Sequence, residues 1–161
     1  MRRFKMFWKT GMPEKRIECI SYNKQEDYQD FVKEKHTEGY RQIILTTTIM
    51  LKLFKKLGGL GYEVETVSIA EDNDFFSRDI ELSLSNDSAF TQHFVQMLEC
   101  VLPTAGMSDL LIRRVKLLKK CDGGETVTVT LDVNGCIDVD SFTFDDMMPL
   151  IVATVQKYLF Q

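Results

Sequence analysis

Histidine occurs only twice in this 161-residue chain, at His36 and His93, and tryptophan once. Neither histidine stands at a spacing from an acid or nucleophile that would assemble a catalytic set from sequence position alone. His36 falls in the last turn of a predicted helix, where a cation suits the terminus. His93 lies beside the apolar stripe of another. The four cysteines, Cys19, Cys100, Cys121 and Cys136, show neither metal-ligand nor redox spacing. Reduced thiols in a cytoplasmic protein are therefore expected, with no metal and no cofactor. No apolar run approaches the roughly 20 residues needed to cross a bilayer. The N-terminal segment also lacks the continuous apolar core of a secretory signal, so no membrane association is expected.

Two further absences narrow the chemistry. Gly58-Gly59-Leu60-Gly61 has glycines but the wrong surroundings for a phosphate cradle, which should follow a strand and open onto a helix. Glu71, Asp72, Asn73 and Asp74 supply oxygens without the spacing or distal glutamate of a calcium loop. Asp138, Asp140, Asp145 and Asp146 are explained as two strand-face acids and two helix-start acids.

What is present is an ordinary globular balance, 44% apolar and 27% charged, sized for a single compact domain over residues 1–161. The net charge of -4 is unevenly spread. Residues 1–57 hold 13 basic and 7 acidic groups, 58–112 hold 1 and 10, and 113–121 hold five basic groups and no acid. Such blocks either form opposed surface patches or are mixed by folding.

The clearest element is a hairpin. Val127, Val129, Leu131 and Val133 alternate with Thr128, Thr130 and Asp132, and Ile137 and Val139 resume the pattern. A two-residue Asn134-Gly135 turn would set a charge beside each apolar side chain. A three-residue loop, Val133-Asn134-Gly135, pairs Leu131 with Ile137 and Val129 with Val139 instead, with Gly135 in the left-handed position. The outer face then carries Thr128, Thr130, Asp132, Asp138 and Asp140.

Elsewhere, residues 1–14 form a basic aromatic arm or an edge strand, the latter paired with Arg16–Tyr22. A helix is predicted over about 24–38, with Asn23 and Glu26 as its capping box and Gly39 as its stop. Residues 40–57 are either one long helix or a strand that becomes a helix near Thr48. Tyr62–Ala70 and Arg78–Ser85 alternate as strands, with a phase change near Val67. A helix follows from about Asn86 to Pro103, on Phe90, Phe94 and Val101. Leu110–Leu118 is an edge strand whose positive charges discourage aggregation. A last helix begins at Asp145 or Asp146, with Pro149 in its first turn. Leu159-Phe160-Gln161 is either a natural helix end or a protease-cleavage remnant. The whole is an α+β protein, a mainly antiparallel β-sheet packed with three or four helices.

No catalytic constellation emerges, so the leading expectation is a non-enzymatic protein-interaction or assembly protein, self-associating or holding a protein partner. The alternative is a nucleic-acid-binding protein with a weak preference for single strands. Its candidate residues are Arg2, Arg3, Lys5, Phe7, Trp8 and Lys9, with Arg113, Arg114, Lys116, Lys119 and Lys120 as a second patch. Lysine and arginine would attract phosphate, and the aromatics would stack on bases. Lys52, Lys55 and Lys56, on the wetter side of the 40–57 segment, are a further surface for a nucleic acid or an acidic partner.

Overall fold

The structure is a computed structural model that describes residues 1–23, 25–73, 76–83 and 110–160. Its strands are β1 (Arg2–Lys9), β2 (Ile17–Ser21), β3 (Tyr40–Gln42), β4 (Glu63–Asn73), β5 (Phe76–Ser83), β6 (Leu110–Lys120), β7 (Thr126–Asp132) and β8 (Cys136–Val139). Its helices are α1 (Tyr28–Thr37), α2 (Thr47–Gly58) and α3 (Phe144–Leu159). One antiparallel sheet runs β2-β1-β8-β7-β6-β4-β5, and short β3 pairs with β1 beyond the end of β8. This is the expected α+β architecture, with three helices among the described residues. The helix expected over about 86–103 lies outside them, as do His93 and Cys100.

Strand alternation puts successive side chains on opposite faces. From β1, Phe4 and Met6 enter a large core with Ile49, Leu53 and Phe54 of α2 and Met147, Ile151 and Val155 of α3. Phe7 points the other way and forms a small second core with Tyr22 and Phe31 of α1. Thus α2 and α3 cover one face of the sheet, and α1 covers the other near its β2 end.

The β7–β8 hairpin has the three-residue loop, with Leu131 opposite Ile137 and Val129 opposite Val139. Gly135 adopts φ 77°, and a Cβ there would stand 2.3 Å from the Ile43 carbonyl oxygen. Only glycine meets both conditions. The close approach arises because residues 43–45 run past the turn: Ile43 N–H donates to the Met6 carbonyl, and Leu45 N–H to Val133.

Several expectations need correction. β1 is an interior strand, with β2 on one side and β8 and β3 on the other, instead of an arm or edge. Its edge-like charges are accommodated because a distant segment, β8, supplies Asp138. β6 is likewise interior, between β7 and β4. Here the partners Asp132 and Glu65 offset charges that suggested an edge. α1 starts four residues later than expected, because Asp27 accepts from Asp30 N–H as the N-cap while Asn23 closes a separate turn on Gln25 N–H. Residues 40–57 are a strand followed by a helix, with Thr46 as the cap, its side chain accepting from Ile49 N–H. The phase change in β4 is a pair of register shifts against β6, at Val64/Thr66 and Ser68/Ile69. These put Val64 and Val67 on the same buried side. α3 begins at Phe144, so Pro149 falls in its second turn, where it is exposed and removes one helical donor. Among the described residues no helix is long and apolar enough to cross a membrane.

Candidate binding groove

The basic and aromatic residues of β1 are divided between the two faces of the sheet and held within the fold. Arg2 is exposed, its guanidinium 4.1 Å from the Phe144 ring centroid, and Phe144 in turn stacks on Phe4 at 4.5 Å. Arg3 donates to both carboxylate oxygens of Asp138, at 2.6 and 2.5 Å. That hydrogen bonding raises the arginine pKa. Phe7 is buried edge-on to Phe31 and Tyr40. Trp8 is half-buried, with Phe160 at its edge and Lys15 over its ring. Lys9 lies 4.9 Å from the Tyr40 ring centroid.

Lys5 is the unexpected member. It is 0% exposed, and its ammonium donates to the Ile43 carbonyl at 3.2 Å. Burial pushes its pKa down to about 8, opposed by the nearby Cys136 thiol. Cys136 is buried beside it, and burial pushes that thiol up to about 11. Neither group reaches solvent, so the pair belongs to the packing of the β1–β8 junction.

The β6 run is also engaged. Arg114 donates to Asp132 at 2.6 Å, and Lys116 pairs with Glu65 at 2.7 Å. Lys119 lies 5.9 Å from the Tyr62 ring centroid, while Arg113 and Lys120 are exposed. Cross-strand pairing places Arg3, Asp138, Thr130, Lys116, Asp132 and Arg114 on one face, where the charges alternate in sign. The acids of the hairpin are therefore bound to arginines or to the backbone: Asp140 accepts from Thr128 N–H at 2.6 Å.

A basic surface lies on the outer side of the helical layer. α2 commits Ile49, Met50, Leu53, Phe54 and Leu57 to the core, which leaves Lys52, Lys55 and Lys56 turned away from the sheet. α3 commits Met147, Met148, Ile151 and Val155, and exposes Ala153 and Lys157. Between the helices is a groove of about 630 Å³, walled by these lysines and floored by Pro149, Leu150, Ala153, Thr154 and Tyr158. The small side chain of Ala153 opens the trough, and Thr154 turns its hydroxyl back onto the Leu150 carbonyl at 2.8 Å. Tyr158 carries two cations, Lys52 at 5.6 Å and Lys157 at 5.3 Å from its ring centroid.

Among the described lining residues there is no carboxylate, histidine or cysteine. The described residues of the groove therefore offer ammonium donors above an apolar floor, a surface complementary to anionic groups. Sequence reasoning found Lys52, Lys55 and Lys56 but not Lys157 or Tyr158, whose only local signal is their position one turn beyond Ala153 and Thr154. Comparison with protein-family models, with curated proteins and with solved structures finds no match for this chain.

Proposed function

We propose that the chain is a non-enzymatic protein-interaction and assembly module whose α2–α3 groove receives an acidic protein surface. The observation that carries this reading is the convergence of Lys52, Lys56 and Lys157 on an apolar trough with no carboxylate among its described lining residues. An exposed ion pair contributes only about 0.2–1 kcal/mol. The lysines thus select the partner and speed its approach, while Leu150, Ala153 and the Tyr158 ring supply contact area. The internal pairing of Arg3, Arg114 and Lys116 supports a protein partner over a nucleic acid, because these three of the groups expected to meet phosphate are already matched by carboxylates. The buried Cys136 thiol and free Cys19 and Cys121 support a reducing, cytoplasmic setting.

The test is fluorescence anisotropy of a labelled peptide with alternating glutamate and leucine, titrated with the intact chain at increasing salt. Binding that weakens with salt and disappears in the triple variant Lys52→Glu, Lys56→Glu, Lys157→Glu supports the reading. Absence of binding at low salt, or binding indifferent to those changes, rejects it. A single-stranded oligonucleotide that binds more tightly through the same lysines would move the function to nucleic acid.

A further inference from the structure

The fold supplies an acidic surface of the kind the groove should take. On the opposite face of the sheet, the flank of α1 that turns toward β2 presents Glu26, Asp27, Asp30 and Glu34, all exposed. They surround a trough of about 470 Å³ with Ile20 and Phe31 in its floor. The one cation among its described lining residues, Lys35, is held by Glu38 at 2.9 Å and lies 3.6 Å from Glu34. Lys33 reaches Asp30 only at 3.7 Å. We propose that the groove between α2 and α3 is occupied by the α1 flank of a second copy of this chain. The proposal rests on the groove being a site for acidic protein surfaces.

Spacing supports the match. Asp30 and Glu34 stand four residues apart in α1, as do Lys52 and Lys56 in α2, and side chains at that interval stand about 5–6 Å apart on one helix face. Laid antiparallel, α1 brings Asp30 and its positive helix start to Lys56 at the negative end of α2, and Glu34 to Lys52. Lys157 then faces the flank from the second helix. Both troughs also have apolar floors, so closing one on the other covers hydrophobic surface as well as matching charge. A nucleic acid gains nothing from the acidic flank, whereas a second copy uses both surfaces.

The two surfaces differ and lie on opposite faces of the sheet, so the contact is heterologous. Repeated, it generates a ring or an open chain of copies, and a two-fold dimer does not satisfy it. Each copy in the interior of such an assembly has both its groove and its flank filled.

Sedimentation velocity of the full chain tests this, at about 0.1 M salt, where charges act over about 10 Å, and about 1 M, where they act over about 3 Å. Concentration-dependent species larger than a monomer are expected at the lower salt, dissociating at the higher. Two charge-reversed chains then separate this contact from any other: Lys52→Glu with Lys56→Glu, and Asp30→Lys with Glu34→Lys. Each alone opposes like charges across the contact and should associate at least tenfold more weakly. Mixed in equal amounts, each offers the other a complementary groove and flank, and association should return. The exchanges shift the native charge of -4 by four units in opposite directions, so the mixture does not pair oppositely charged bodies. Should a reversed chain unfold, judged by its circular dichroism, the neutral pairs Lys52→Gln with Lys56→Gln and Asp30→Asn with Glu34→Gln replace it and should each weaken association.

A chain that stays monomeric at both salts, an assembly insensitive to the exchanges, or a mixture of folded variants that stays monomeric overturns the proposal. If the acidic peptide still binds through Lys52, Lys56 and Lys157 in that case, only the second-copy assignment falls. If it does not, the groove reading falls too.

Discussion

Replacing Lys5 by methionine should make this protein more stable, and the gain should depend on pH in a defined direction. The ammonium is buried at the β1–β8 junction with the Ile43 carbonyl as its acceptor at 3.2 Å, and burial lowers its pKa from 10.5 to about 8. In the unfolded chain the amine keeps its proton up to about pH 10.5, while in the folded chain it loses it near pH 8. Between those values the unfolded state binds more protons, so this residue's contribution to stability rises with pH. Below pH 8 both states are protonated and the folded state bears the full cost, about 3 kcal/mol by linkage. Methionine has a similar unbranched length and removes the charge, at the loss of one hydrogen bond worth roughly 1 kcal/mol. Net stabilisation of about 1–3 kcal/mol at pH 7 is expected. Urea unfolding of both proteins under reducing conditions, from pH 7 to pH 10, measures it. The advantage of the variant should shrink by about 2 kcal/mol between pH 8 and pH 10. Cys19 and Tyr28, raised by burial to about 11 and about 12, lower stability at the alkaline end of both proteins and cancel in the difference. A difference that stays constant over this range, or a variant less stable than the parent at pH 7, would refute the reasoning.

Other substitutions probe the same junction. Gly135→Ala should cost about 3 kcal/mol or more, since it adds a left-handed residue and a Cβ 2.3 Å from the Ile43 oxygen; a urea midpoint within error of the parent would rule that out. Leu131→Asp places a charge at a fully buried position in the middle of the sheet and should abolish cooperative thermal unfolding, so a retained sharp transition near the original midpoint would count against it. The Cys136 thiol, pushed up to about 11, should react with iodoacetamide at pH 8 at least tenfold more slowly in the folded chain than in urea. Peptide mass spectrometry reads that rate directly, and equal labelling would contradict the burial described.

The hairpin was legible because its information is local. Alternation fixed which side chains face inward, and the one register that avoids a charge beside each apolar residue also places Gly135 where φ must be positive. The phase change in β4 was visible for the same reason, although only the pairing with β6 identifies it as a bulge. β1 was misread because the deciding facts are remote. Lys5 and Arg3 look like exposed phosphate ligands until Cys136 and Asp138, more than 130 residues away, are placed opposite them. β6 carries a basic run that suggests an edge, and its partners Asp132 and Glu65 come from two other strands. The groove was half legible. Periodicity sorted the lysines of α2 to the outside, but nothing local says that α3 lies alongside and contributes Lys157 and Tyr158.

The place of β1 in the sheet also sets an order of events during synthesis. β2 can pair with β1 early, since only Thr10–Arg16 separate them, and β3 meets Phe7–Lys9 soon after, but the other side of Arg2–Lys5 waits for Cys136–Val139. Chains lengthen at about 5–20 residues per second, so for several seconds a nascent strand bearing Phe4 and Met6 has the Arg2–Lys5 part of one edge unpaired. Its charges then serve a purpose that the finished fold conceals. Arg2, Arg3, Lys5 and Lys9 interrupt the apolar residues of that segment and discourage it from pairing with a neighbouring nascent chain. The buried ammonium of Lys5, a burden on the folded state, is thereby a safeguard for the unfinished one.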